Sequence, residues 1–251
     1  MRTNLRRAAA AALASSSLLF VAACGGSAEA EDKPAAKKSE SAKPAPPAKP
    51  LTKAQAEGAL LELKDMPPGW SVDQSVADQS EDAIERSLGK VDKAACQPLL
   101  DSEVGSEDNP KPQAYVVTGF AKDAEDGPFL TNAVTAYTAA EAKGLMAKPL
   151  PKGCDSFTGV VSYEEGDEKA TFTFKEMPAP AIGDQAVAQR LTVNWANDDL
   201  QPTQLDLVAA RVEGVIVAVQ TDSPYDADDA ALQAAFKKAV AKAEAATKAA
   251  K

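Results

Sequence analysis

The sequence predicts an α+β protein, an antiparallel β-sheet with flanking α-helices that forms a single domain behind a disordered linker. The main evidence is a series of five segments in the second half of the chain, rich in β-branched and aromatic residues and joined by short connections. They are residues 157–163, 171–174, 186–195, 204–212 and 215–221. Glu213-Gly214, between the last two, is a tight hairpin signal. Helical patterns at both ends of the domain supply the flanking layer.

The N-terminus is typical of an export signal. Residues 1–7 include three Arg, and residues 8–23 contain only Ala, Leu, Ser, Phe and Val, a run too short and too rich in small residues for a membrane-spanning helix. Val21-Ala22-Ala23-Cys24 then resembles a bacterial lipobox. We therefore expect residues 1–23 to be a lipoprotein signal peptide and Cys24 to be the lipid attachment site. The alternative is an ordinary secretory signal that happens to contain a Cys.

Residues 24–50 form a lipid-anchored linker in this interpretation. The segment consists mainly of Ala, Pro, Lys, Glu and Ser and ends in a Pro-rich stretch before Leu51. Low hydrophobicity and frequent Pro favour a solvated spacer with polyproline II character, which spans roughly 80 Å at about 3.1 Å per residue. The folded domain is predicted over residues 51–251.

The first half of that domain carries two capping boxes. Thr52 and Gln55 predict a helix that runs through Leu63 and stops at the Pro-Gly turn of residues 67–69. Residues 91–100 predict a short second helix, and residues 115–120 and 132–137 predict strands. Thr138 and Glu141 form the second capping box, for a helix that ends near Met146 ahead of two prolines.

An amphipathic helix closes the chain. Asp226 is its predicted cap, and Leu232, Phe236 and Val240 recur every four residues on one face. Acidic residues at its start and Lys residues at its end both suit the helix dipole. We expect this narrow apolar stripe to pack on the sheet.

Net charge excludes one class of partner. The full chain has a net charge of −10, and the predicted domain has 19 Lys and Arg against 33 Asp and Glu. Non-specific nucleic-acid binding depends on Lys and Arg that neutralise phosphates, and no basic run lies within the domain. The sequence therefore predicts no nucleic-acid partner.

Two cysteines remain once Cys24 is assigned to lipid. An exported protein meets an oxidising compartment, so Cys96 and Cys154 are expected to form one disulfide. Closing that loop removes roughly 4 kcal/mol of unfolded-state entropy in the simple chain model. The alternative is two buried free thiols. No metal site is predicted, because the chain has no His and two Cys do not fill a tetrahedral zinc site.

The order of these features resembles a known family. A Pro-Gly-Trp turn at 68–70, Cys96 in a short helix, a strand that reaches Tyr137, a second Cys at 154 and the segment 211–217 before a final helix follow in the same sequence. The pattern resembles the PknH-type extracellular sensor domain of mycobacterial receptor Ser/Thr kinases, and actinobacterial lipoproteins built on that domain, over most of residues 55–247.

That resemblance implies a tethered module outside the cell, with a central antiparallel sheet, flanking helices and a cleft that takes a ligand. The chain contains no kinase domain. The kinase sensors carry two disulfides where this chain can form one, and no family ligand-binding residue transfers to a position here.

Catalytic machinery is largely absent from the sequence. Without His, the Ser-His-Asp, Cys-His and His-metal arrangements are excluded, which leaves a Ser-Lys hydrolase or a carboxylate pair. No phosphate-binding Gly loop is present. Trp70 and Trp195 are candidates for stacking on a ligand, and the alternative is that both pack in the core. No enzyme activity, catalytic residue, metal or cofactor is predicted.

These observations predict a membrane-anchored lipoprotein with a non-catalytic ligand-binding or sensor-like domain. The membrane partner is reached through the lipid, and the ligand is an unidentified small molecule, glycan or lipid. The expected location is the outer face of the cytoplasmic membrane, with the domain extending into the cell wall. The alternative functions are a carrier of lipid or other apolar ligands in the cell envelope and a hydrolase that works without His.

The lipid anchor gives the first testable prediction. Two acyl chains give stable membrane attachment, at about 0.8 kcal/mol per buried CH₂, and both depend on the thiol of Cys24. Replacing Cys24 with Ala should leave the protein unprocessed or released into the medium. Detergent partitioning and precursor cleavage measure this, and normal behaviour of the variant in both assays would reject the lipoprotein interpretation.

Overall fold

In the part of the chain that the structure describes, the strands form one antiparallel sheet of nine. The computed structural model describes residues 49–77, 89–101, 109–123, 127–163, 166–223 and 229–251. Within these ranges the strand order is β1-β3-β4-β9-β8-β7-β6-β5-β2, and every neighbouring pair is antiparallel. The predicted α+β fold class is confirmed. The predicted signal peptide and nearly all of the predicted linker lie outside the described residues.

The helices and strands have the following bounds. The strands are β1 Ser71–Val72, β2 Gly89–Val91, β3 Ala114–Ala121, β4 Phe129–Ala136, β5 Ser156–Tyr163, β6 Gly166–Glu176, β7 Gln185–Trp195, β8 Thr203–Val212 and β9 Val215–Ser223. The α-helices are α1 Lys53–Gly58, α2 Gln74–Ala77, α3 Ala139–Met146 and α4 Asp229–Ala249, with short 3₁₀ turns at Leu63–Asp65 and Ala94–Leu99. None of the described helices is long and apolar enough to cross a membrane.

The sheet buries apolar side chains on both faces, because alternate residues of each strand point to opposite sides. One face, here called the helical face, packs against α1 and α4. The other, the disulfide face, packs against α3 and the Cys96–Cys154 region. Leu232, Phe236 and Val240 of α4 are at most 1% exposed, so the predicted stripe is confirmed as the contact surface.

The first helix is shorter than predicted. Its capping box forms as expected between Thr52 and Gln55, but the helix ends at Gly58 and does not continue to Leu63. The chain turns there because Leu61 is buried and its N–H donates to the side chain of Asn132 on β4 at 2.9 Å. A tertiary hydrogen bond therefore replaces the last helical turn.

The predicted helix over 91–100 is also wrong in part. Val91 belongs to strand β2, and only Ala94–Leu99 is helical, as a 3₁₀ turn with Pro98 inside it. Proline has no N–H to donate, which disfavours a longer α-helix. The side chain of Gln97 holds the turn against β2, accepting from the Val91 N–H at 3.1 Å and donating to the Gly89 carbonyl at 2.8 Å.

The remaining elements follow the predicted order. Helix α3 begins at the Thr138–Glu141 capping box and ends at Met146. The five predicted strands of the second half all form, with β6 extending on both sides of its predicted core. Glu213 has a φ of 53° at the β8–β9 hairpin, as a tight turn requires. The predicted cap Asp226 lies outside the described residues.

A buried ion pair connects the sheet to α4. Asp206 on β8 has a side chain that is 1% exposed, and Arg190 on β7 binds both of its oxygens at 2.6 Å. The same guanidinium lies 3.8 Å from Asp229, the first residue of α4. Hydrogen bonding to Asp206 raises the pKa of Arg190. The charge on Arg190 is therefore already compensated within the fold.

Asn132 gives a prediction about stability. Its amide accepts from Leu61 and donates to the Ala218 carbonyl at 3.0 Å, and the residue is fully buried. Replacing Asn132 with Ala leaves the Leu61 N–H without this partner and removes one of the hydrogen bonds to the Ala218 carbonyl, so the free energy of unfolding should fall by about 1–3 kcal/mol. Urea denaturation measures this. The matched control Asn194→Ala, at an exposed strand position, should change it by less than about 0.5 kcal/mol.

Candidate ligand-binding groove

Within the part of the chain that the structure describes, no helix packs on the outer half of the helical face. Helix α4 packs on β9, β8 and β4, whereas the outward side chains of β2, β5, β6 and the adjoining end of β7 are exposed or half-buried. Thr158, Thr173 and Asn194 are exposed there, and Val160 is half-buried. A cleft of about 640 Å³ lies on this uncovered half.

Strand register gives the cleft its shape. Three successive rows of residues cross the four strands, and the middle row, Val91–Gly159–Ala170–Trp195, points its side chains to the disulfide face. Only the backbone of that row is presented on the helical face. The two outer rows project side chains on either side of it, so the cleft is a groove that runs across the strands for about 14 Å, three strand spacings.

The two walls differ in chemistry. One wall carries two cations and two apolar side chains, and the other carries a carboxylate, two hydroxyls and an amide. The first wall is Lys90, Val160, Lys169 and Ala196, and the second is Asp92, Thr158, Thr171 and Asn194. Neither Lys90 nor Lys169 forms an ion pair or side-chain hydrogen bond within the part of the chain that the structure describes. Both ammonium groups are therefore available to a ligand.

Asp92 is occupied by the groove itself. Its carboxylate accepts from the Thr158 N–H at 3.1 Å. The pKa of Asp92 lies below its usual value, first because the Thr158 side chain hydrogen-bonds to it and then because the backbone N–H groups of Thr158 and Lys93 do so. An ionised carboxylate that is held in this way serves to fix the end of β2 on β5 and is a poor candidate for a catalytic base.

The outer end of the groove depends on the disulfide. The predicted disulfide between Cys96 and Cys154 is present, and the two Cα atoms are 5.5 Å apart. The bond joins the 3₁₀ turn after β2 to the turn before β5. Lys93 adds to the link, because its ammonium donates to the carbonyls of Gly153 and Ser156 at 3.0 and 2.8 Å.

Gly159 lets the short strand β2 lie close to β5. A Cβ at this position would lie 2.9 Å from the Lys90 carbonyl oxygen and 3.2 Å from the ring of Phe172. The first contact is with backbone, which cannot move aside as the end of a side chain can. A larger residue at position 159 would therefore push β2 away from β5.

The two tryptophans have different positions. Trp70 is 6% exposed in the core of the helical face, near β1 at the other edge of the sheet, and the Lys122 ammonium lies 5.6 Å from its ring centre. Trp195 contributes backbone to the groove floor, while its indole packs on the disulfide face and donates to the Thr203 hydroxyl at 3.3 Å. Both rings contribute to packing, and neither is presented on the groove. Cys24 lies outside the described residues.

Catalytic geometry is not found in the described ranges. They contain no group of three or more His, Cys, Asp or Glu side chains that could hold a metal ion. The chain has one Ser-x-x-Lys spacing, Ser87 to Lys90, which a Ser-Lys hydrolase would need. Ser87 lies outside the described residues, and Lys90 lies in a β-strand, whereas this spacing brings Ser and Lys together on one face of a helix.

The fold and groove define a class: an α+β domain whose single antiparallel sheet carries helices on part of one face and an open, polar groove on the rest of it. The chain is similar in structure to the extracellular domain of PknH from Mycobacterium tuberculosis, known from a crystal structure, with a TM-score of 0.49 and 15% sequence identity. The match covers 80% of this chain and 98% of that one. No family model and no curated protein matches the chain.

The disulfide gives a prediction about the groove. Replacing Cys96 and Cys154 together with Ser should lower the free energy of unfolding by about 2–5 kcal/mol, as for other native disulfides. Amide hydrogen exchange should also rise first in β2, the three-residue edge strand next to the bond. Chemical denaturation and exchange mass spectrometry measure the two effects. Cys24→Ser in the same assays should leave the domain unchanged, and an equal loss of protection in β8 and β9 would contradict a local role.

Proposed function

We propose that this protein is a membrane-anchored extracytoplasmic lipoprotein whose domain binds a ligand in the groove without chemically altering it. The observation that carries the proposal is the groove itself. Two cations face a row of hydroxyl and amide groups over a backbone floor, and ligand sites are concave surfaces with a small number of placed polar groups.

The residues of the groove support binding more than turnover. Nucleophilic and acid–base catalysis require an activated side chain near a partner that takes its proton. The chain has no His, and the one carboxylate in the groove walls, Asp92, is held by Thr158. The side chains that remain are hydroxyls, an amide and ammonium groups, which donate and accept hydrogen bonds and compensate charge.

The groove also favours a polar ligand over the alternative of an apolar cargo. A lipid carrier needs an enclosed cavity lined by apolar side chains, large enough to remove the cargo from water. The cleft described above is open along its length, and six of the eight side chains in its walls are polar or charged. A ligand bound there keeps one side in water.

The N-terminal sequence supports a location outside the cytoplasm. A basic head, an apolar core and a lipobox-like cleavage region precede Cys24, and a Pro-rich spacer follows it. A double acyl anchor at Cys24 holds the domain at the outer face of the cytoplasmic membrane, and the spacer lets the groove reach ligands at a distance from the bilayer. The partners in this proposal are the membrane and a polar ligand.

A thermal-shift screen tests the proposal. A molecule that binds the native state raises the unfolding temperature, and it should be recovered unchanged after incubation with the pure mature protein. Replacing Thr171 with Trp in the middle of one wall should fill the groove and abolish the shift. The control Ser162→Trp, on the same face of β5 but outside the groove, should preserve it. Recovery of a chemically altered ligand would overturn the non-catalytic part of the proposal.

A further inference from the structure

The surface of β5, β6 and β7 next to the groove indicates which chemical class of ligand the site binds. We infer that the groove is one end of a longer site for an anionic, polyhydroxylated chain, a glycan that carries carboxylates or phosphates. This inference rests on the proposed function and deepens it. It is carried by two further rows of side chains on the same uncovered face of β5, β6 and β7.

A platform of hydroxyl and amide groups adjoins the groove. The wall residues Thr158, Thr171 and Asn194 are direct register neighbours across three strands, and the next row on the same face is Ser156, Thr173 and Thr192. All six are exposed or half-buried. Each hydroxyl both donates and accepts, so the two rows match the alternating donors and acceptors of a polyhydroxylated chain.

Lysines stand on both sides of this platform. Lys90 and Lys169 line the near side, and Lys175 lies on the far side, on the same face of β6 as Lys169. Lys175 lies six positions after Lys169, which is about 20 Å along a strand. Lys175 forms no ion pair within the described ranges, whereas its cross-strand neighbour Arg190 is engaged by Asp206.

This surface is much less acidic than the domain as a whole. Residues 51–251 have a net charge of −14, whereas among the described residues of the platform and its borders four cations balance four carboxylates, and Lys90, Lys169 and Lys175 form no ion pair. Of the carboxylates, Asp206 and Asp229 lie at Arg190, Asp92 accepts from Thr158, and Asp167 lies one row beyond Lys169. A repeating anion spaced along a chain complements lysines at both ends of the platform better than a single small anion does.

The same surface is a poor match for other large partners. Three lysines on a strongly acidic domain are too few to hold a nucleic-acid backbone. Protein interfaces have a core of aromatic or long aliphatic anchors, and here the apolar side chains are Val160 and Ala196. The platform offers hydrogen bonds and its lysines offer charge interactions. Because salt screens charge interactions, binding of an anionic chain should weaken steeply as the salt concentration rises.

Titration calorimetry on the mature protein with its disulfide intact tests the inference. The probes are an oligogalacturonate for a carboxylated glycan, a dextran phosphate for a phosphorylated glycan, and neutral dextran. Binding by either anionic chain at low salt, with loss of affinity at about 0.5 M NaCl, supports the inference, and the two arms separate carboxylate from phosphate. Equal or stronger binding by dextran overturns it.

Matched variants locate the site. The pair Lys90→Gln and Lys169→Gln should weaken binding of the anionic chain about tenfold, as expected for two screened charge contacts. The pair Lys237→Gln and Lys248→Gln removes the same charge from exposed positions of α4 and should have no effect. Thr171→Val with Thr173→Val keeps strand propensity and removes two hydroxyls, and it should weaken binding several-fold. Equal effects of both lysine pairs would show that only net charge matters and would overturn the site.

Failure of this inference differs from failure of the proposed function. If a neutral or apolar molecule raises the unfolding temperature, and Thr171→Trp abolishes that shift while the Lys90 and Lys169 variant does not, the groove binds a ligand but the anionic class is wrong. If both anionic chains fail to bind and no molecule in the thermal-shift screen stabilises the protein, both proposals are overturned.

Discussion

The width of the sheet relative to its helices is the constraint on which the rest of the structure depends. Nine strands at about 4.8 Å spacing make a sheet nearly 40 Å wide, whereas a helix with its side chains is about 10–12 Å across. Helix α4 therefore covers β4, β9 and β8, and α1 with the segment that follows it covers the neighbouring edge. Among the described residues, no helix covers the helical face of β5, β6 and the adjoining end of β7, and most of the outward positions there are polar. The groove and the platform are both products of this incomplete coverage.

The disulfide lies beside β2 because this short edge strand needs support from outside the sheet. Strand β2 has three residues and pairs only with β5, and so short an edge strand gains little from its own hydrogen bonds. The Cys96–Cys154 bond, the Gln97 side chain and the Lys93 ammonium fasten it from outside the sheet. Without β2 the groove has neither Lys90 nor Asp92. Its rim is thus held by contacts that lie on the disulfide face and in the adjoining turns.

Local patterns predicted most of the elements and little of the site. Both capping boxes, the stripe of α4 and the five strands of the second half depend on residues close in sequence, and all are present. The helix expected to reach Leu63 fails because Asn132, 71 residues further on, binds Leu61. The groove depends on the same kind of distant pairing, since Lys90 meets Val160 and Lys169 only through strand register. Thr-rich strands indicate an exposed face, but no spacing in the sequence shows which rows align across it.

The disulfide also determines how the domain transmits mechanical tension. A force applied at the two ends of the folded chain reaches Cys96, crosses the S–S bond and continues from Cys154, so it bypasses the backbone between them. That bypassed loop contains β3, β4 and α3. Pulled from its ends, the oxidised protein withholds about 200 Å of contour length, at roughly 3.5 Å per residue, and the reduced protein releases it. The oxidation state of a single bond therefore sets the maximum extension of a domain that we propose is tethered at one end.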